Sequence, residues 1–83
     1  MEEKVGKVFK YFRKPMVAAL KIEDGKVKVG DKLHFKGDHT DFVQEIESME
    51  IEGESVEKVE SGDDVGIKVK ERVRPNDKVF LVK

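Results

Sequence analysis

Apolar and polar residues alternate along most of this chain, and turn signals break the alternation about every ten positions, the pattern of an all-β domain. "KVGKVFKYF" (Lys4–Phe12) predicts a first strand, closed before Pro15 because proline cannot donate to a ladder. In "MVAALKIE", Met16, Ala18, Leu20 and Ile22 share one face at the strand period of two. Asp24-Gly25 has the composition of a hairpin turn. "DKLHFKG" then points Leu33 and Phe35 inward and Lys32, His34 and Lys36 outward. "GDHT" turns the chain into the long "DFVQEIESMEIE", where Phe42 and Ile46 share one parity and Met49 and Ile51 the other. That parity switch predicts a bulge that bends the strand. "DVGIKV" and "DKVFLV" complete the set. Val56 and Val59 could share one helical turn, but no segment sustains an apolar period of 3.6.

One motif occurs three times. Val27-x-x-Gly30-Asp31-x-Leu33-x-Phe35 is matched by Val59-x-x-Gly62-Asp63-x-Val65-x-Ile67 and by Val73-x-x-Asn76-Asp77-x-Val79-x-Leu81. Gly and Asn best tolerate a left-handed backbone, and the aspartate after them can bond the neighbouring backbone. A catalytic loop has no reason to recur three times, whereas a turn admitting a strand to a barrel does. The motif is therefore read as structural. The expected fold is all-β: one domain over 1–83, a small closed six-stranded barrel, mostly antiparallel, of the kind described below. Leu20, Leu33, Phe35, Ile46, Val65, Ile67 and Val79 are its expected core.

Eighty-three residues bury only about 60% of the unfolded surface, which leaves no room for a large enclosed active site. The chain has no cysteine, and no apolar run nears the ~20 residues of a membrane span. A soluble, cytoplasmic domain without a membrane partner is expected. Charged residues make up 42% of the chain against about 25% in ordinary domains, and Gln44 and Asn76 are its only side-chain amides. That balance is the pattern of a thermophile source. Residues 1–36 carry ten basic and five acidic groups, residues 37–67 one and eleven, and residues 68–83 six and two. Either the fold has a basic side and an acidic side, or the charges are solvated strand faces.

A family resemblance rests on "VKVGDKLHFKG", "ESGDDVGIKV" and "RPNDKVFLV", which are similar to successive signatures of the second domain of elongation factor Tu. "YFRKPMVAALKIEDGKVKVGDKL" resembles that domain's first hairpin, and the likeness runs from about Val5 to Lys83. Lys14-Pro15 stands where that family has an Arg-Gly turn, and Asp64 where it commonly has Asn. "TDFVQEIESMEIE" is more similar to the C-terminal barrel of collagenase-like peptidases, several of which are implicated in RNA hydroxylation. The resemblance implies a barrel that contacts RNA or another domain, with tRNA, ribosomal RNA or a protein of translation or RNA modification as partner.

No chemistry-bearing motif accompanies that fold. Gly6-Lys7 and Gly25-Lys26 are each followed by valine, so there is no phosphate loop, no nucleotide and no GTPase activity to expect. Ser48, Ser55, Ser61, Thr40 and Tyr11 lie in no nucleophile setting. His34 and His39 have no ligand spacing and read as solvated residues, so neither metal nor cofactor is expected. The best candidate is "FKYFRK", where aromatic rings interleaved with cations can stack on bases and hold phosphate. Lys10, Tyr11, Arg13, Lys14, Arg72 and Arg74 form the candidate RNA-binding set. Its ordinary alternative is a strand braced by aromatics and solubilised by lysines. The expected function is a non-enzymatic accessory module of translation or RNA modification. The alternative is a protein–protein adaptor docking through the acidic central segment.

Overall fold

The computed structural model describes residues 2–83, and strands account for all its regular structure. In chain order they are β1 (Glu2–Phe12), β2 (Val17–Ile22), β3 (Lys26–Lys28), β4 (Lys32–Gly37) and β5 (Thr40–Glu45). β6 (Met49–Ile51), β7 (Glu54–Val56), β8 (Lys58–Glu60), β9 (Asp64–Lys68) and β10 (Lys78–Val82) follow. Eight of them form one sheet, ordered β5-β4-β10-β1-β2-β9-β6-β7, and β3 pairs with β8 in a separate ribbon. Every pairing is antiparallel. The all-β expectation holds, but the count of six strands does not.

The extra strands have identifiable causes. The long acidic strand breaks after Glu45, because Ile46 leaves the ladder to bond a turn: its N–H donates to Asp31 O at 2.8 Å and its carbonyl accepts from Gly30 N–H at 2.9 Å. The parity switch is thus a break between β5 and β6 and not a bulge. Asp24-Gly25 is a turn, with Gly25 at φ 77°, but it closes no hairpin. β3 crosses to β8 instead of returning on β2. Val56 and Val59 belong to β7 and β8, so the suggested helical turn is absent among the described residues. Met16 also departs from its expected strand face, standing half-buried in a turn at φ 55°.

The threefold motif does what its residues require. Gly30, Gly62 and Asn76 have φ of 98°, 99° and 76°, each at the third position of a type II turn. Asp31, Asp63 and Asp77 each donate their N–H back to the first turn residue's carbonyl, at 3.0, 3.0 and 3.1 Å. Their carboxylates accept the N–H of that same residue, Lys28, Glu60 or Arg74, at 2.9, 2.9 and 2.8 Å. Each turn then grips one buried residue on a distant strand or at its end. Gly30 N–H, Gly62 N–H and Asn76 N–H donate to Ile46, Ile22 and Val8 carbonyls, and those residues donate back to Asp31, Asp63 and Asp77 carbonyls. One local sequence rule therefore produces three equivalent long-range clamps.

The core lies inside this frame. All seven expected core residues are buried, with Leu20, Leu33, Phe35, Ile67 and Val79 fully so. Phe35 and Phe42 are cross-strand partners whose rings stack at 5.0 Å.

Candidate functional site

β1 changes parity at its C-terminal half, and the change shapes one end of the molecule. Val8 pairs with Leu20 and Lys10 with Ala19, so Phe9 is an unmatched bulge residue. After the bulge Tyr11 turns inward and packs on the core, while Phe9 and Phe12 stay 47% and 42% exposed. The Lys10 ammonium sits 5.0 Å from the centre of the Phe12 ring, within reach of a cation–π attraction. Phe9 and Phe12 are therefore presented, whereas Tyr11, a member of the candidate RNA-binding set, turns inward.

Two loops bring the remaining candidates to this end. Met16 N–H donates to Arg13 O at 3.3 Å, closing a turn that leaves Arg13 and Lys14 exposed. Loop 69–77 is tied to that turn by Val69 N–H donating to Met16 O at 2.9 Å. At its other end Asn76 N–H donates to Val8 O at 2.7 Å. The loop therefore runs beside the end of β1, with Val73 buried under it and Arg72 and Arg74 outside. Arg74 belongs to a turn whose Asp77 carboxylate is buried against Gly37, where a Cβ would collide with it. A second opening, a cleft of about 560 Å³, lies between this turn and residues 36–39 and is lined by Lys36, His39, Arg74, Lys78 and Phe80.

His34 is not the solvated residue expected. Its side chain is 14% exposed, its Nδ1 lies 2.7 Å from Glu2 Oε2 and its Nε2 lies 2.5 Å from Asp41 Oδ1. The Asp41 hydrogen bond first, and the Glu2 hydrogen bond next, hold the imidazole pKa above its usual 6.5. The His34 bond in turn holds the Asp41 carboxyl below 3.8. With both ring nitrogens engaged by carboxylates, His34 has no free nitrogen to serve as a general base. Phe80 flanks it, ring centres 6.1 Å apart. No group of three or more acid, histidine or cysteine side chains that could hold a metal ion occurs among the described residues. Among the described residues, no helix is long and apolar enough to cross a membrane.

Three acids of the central segment have partners within the domain. Asp41 serves His34, Asp63 closes a turn and Asp64 lies 3.4 Å from Lys21. Glu50, Glu52 and Glu54 ride the β6–β7 hairpin, whose Glu52-Gly53 turn has φ of 50° and 83°.

The elongation factor Tu domain 4 family matches residues 3–78. A collagenase of Porphyromonas gingivalis is 40% identical over 77 residues, which is 92% of this chain and 21% of the collagenase. An uncharacterised protease of Methanocaldococcus jannaschii is 34% identical over 80 residues, 95% of this chain and 19% of that protein. The selenomethionine variant of the C-terminal domain of a Geobacillus thermoleovorans protein assigned to the U32 peptidases superposes with a TM-score of 0.86. It is 25% identical, covering 93% of this chain and 96% of that domain. Another structure of the domain, 24% identical, reaches a TM-score of 0.90 over 98% of this chain and 93% of its own and supports the fold. This chain spans about a fifth of the length of the curated relatives it matches.

These relatives are described as peptidases, and they overturn the expected translation or RNA-modification module. Of the acids assigned to an adaptor surface, Asp41, Asp63 and Asp64 have partners within the domain, and Glu50, Glu52 and Glu54 lie together on the β6–β7 hairpin. Both branches of the sequence resemblance are present in the comparisons. Matched from residue 3 to residue 78, the chain belongs to the elongation factor Tu domain 4 family.

Proposed function

We propose that this chain is a non-catalytic accessory domain of a U32-type peptidase and that it docks on the peptidase body through its Phe9–Phe12 end. The observation that carries this reading is the 40% identity to a segment forming 21% of a collagenase. Four-fifths of such a relative lies outside the matched segment, which is ample length for a separate catalytic body. Supporting it, Phe9 and Phe12 are about half exposed, Lys10 lies over the Phe12 ring, and Arg13 and Lys14 follow exposed in the chain, the composition of an interface centre with a polar rim. The same reading takes the strands as a closed barrel. Gln44 supports closure, since its Nε2 donates to Lys68 O at 2.9 Å and its Oε1 accepts from Lys70 N–H at 2.9 Å across the gap between β5 and β9. A cytoplasmic location belongs to the reading too, in keeping with a chain that carries no cysteine.

The test is an incubation of the purified chain with denatured collagen and with casein. No cleavage above a heat-treated control is expected. Cleavage that persists through successive purification steps would make the chain itself the peptidase.

A further inference from the structure

Four lysines stand shoulder to shoulder across the sheet. Lys36 on β4 is the direct cross-strand partner of Lys78 on β10, Lys78 of Lys7 on β1, and Lys7 of Lys21 on β2. All four are exposed. Neighbouring strands lie about 4.8 Å apart, so the row is about 14 Å long and its ammonium groups sit well inside a Debye length of one another. Like charges directly opposite each other weaken a sheet. Lys7, Lys36 and Lys78 make no ion pair among the described residues. Nothing in the packing demands lysine here, because each side chain leaves the sheet on its solvent face.

The ends of the row show what it accepts. Beyond Lys21 the next partner in register is Asp64, 3.4 Å from its ammonium, and beyond Lys36 it is Asp41, whose carboxylate also bonds His34. Carboxylates therefore already terminate the row on both sides, and the two central lysines have none. At the Lys36–Lys78 section the row opens onto the cleft of about 560 Å³ that Arg74 and His39 also line.

We propose that the Lys36–Lys78–Lys7–Lys21 row is a binding track for an extended acidic polypeptide segment, whose Asp or Glu side chains complete the charge pattern begun by Asp41 and Asp64. The choice of a polypeptide over another polyanion rests on the accessory-domain reading and on the carboxylates at both ends. The row itself rests on strand register alone. A segment crossing the strands at this level presents carboxylates on alternate residues about 6.7 Å apart, close enough for each to lie between two neighbouring ammonium groups. The repulsion built into the free domain is relieved on binding, so recognition is salt-sensitive.

The experiment is an anisotropy titration of the whole chain into a labelled peptide of alternating Ser and Glu. A Ser-Gly peptide and a single-stranded RNA of equal net charge serve as comparisons, at about 50 and about 200 mM salt. The acidic peptide should bind best, and several-fold more weakly at the higher salt. The Lys7→Gln, Lys78→Gln double variant should lose tenfold or more in affinity, while its melting temperature at low salt holds or rises. Absent binding, affinity unchanged in the double variant, or tighter binding of the RNA would each overturn the proposal. A melting temperature lowered by the double substitution would show the row to be structural and overturn it as well. None of these outcomes bears on whether the chain cleaves collagen, so this proposal and the accessory-domain reading fail separately.

Discussion

Asp77 holds Arg74 by both of its polar ends. Its carboxylate accepts the Arg74 N–H at 2.8 Å while its own N–H donates to the Arg74 carbonyl at 3.1 Å. Asp31 does the same to Lys28 and Asp63 to Glu60, but Asp77 alone of the three is buried, at 4% exposure. Replacing Asp77 with Ala leaves the Arg74 N–H without a partner in a part-buried site, at a cost of about 1–3 kcal/mol. Asp31→Ala, where water can substitute, should cost about 1 kcal/mol or less. Urea unfolding of the two variants checks the order, and a larger loss for Asp31 would contradict it.

The third turn position tests the clamps from the backbone side. Gly62 sits at φ 99° with open space around its Cα, so only conformation resists a side chain there. Gly62→Val should destabilise by about 1–2 kcal/mol or more, since a β-branched residue fits that region poorly. Asn76→Gly should change stability by only about 0.5 kcal/mol, as both residues accept the left-handed backbone. Equal effects of the two substitutions would remove the conformational explanation.

Phe35 is the largest fully buried side chain and stacks on Phe42. Phe35→Ala should cost about 3–5 kcal/mol, a large share of the roughly 5–15 kcal/mol that holds a domain together. Denaturant midpoints at one pH measure it.

His34 gives the domain a pH signature. Its pKa is raised in the folded state, so its contribution is full below the ordinary value of 6.5 and fades as pH climbs through the folded value. Asp41, lowered, contributes above its ordinary 3.8 and loses that contribution as pH falls through its folded value. The wild-type urea midpoint should therefore decline as pH rises above 6.5 and through the raised folded-state value of the imidazole. In His34→Gln that decline should flatten. An identical decline in both proteins would show that His34 is not its source.

What could be read from residues alone divides along physical lines. Leu33 and Phe35 were legible because lysines and a histidine alternate with them, so only one register buries the apolar set. The threefold turn was legible because Gly, Asn and Asp each have one conformational use there. Phe9, Tyr11 and Phe12 were ambiguous for the opposite reason: aromatics occupy both parities, and the bulge at Phe9 that sorts them leaves no mark in the pattern. The Glu2 ion pair of His34 was hidden by distance, since Glu2 lies 32 residues away. Its strand reaches His34 only because β10 pairs between β1 and β4. The lysine row is hidden in the same way. Its members come from four separate segments and become neighbours only through register.

A domain exchange measures the docking claim most directly. The segment of Porphyromonas gingivalis collagenase that matches this chain would be deleted, and in a second protein replaced by this chain, with gelatin cleavage measured for each. Deletion should reduce cleavage and the replacement should restore it. A replacement carrying Phe9→Ala and Phe12→Ala should fail to restore it while the isolated double variant keeps its melting temperature. Full cleavage by the deleted enzyme, or full restoration by the double-alanine replacement, would contradict docking through the Phe9–Phe12 end.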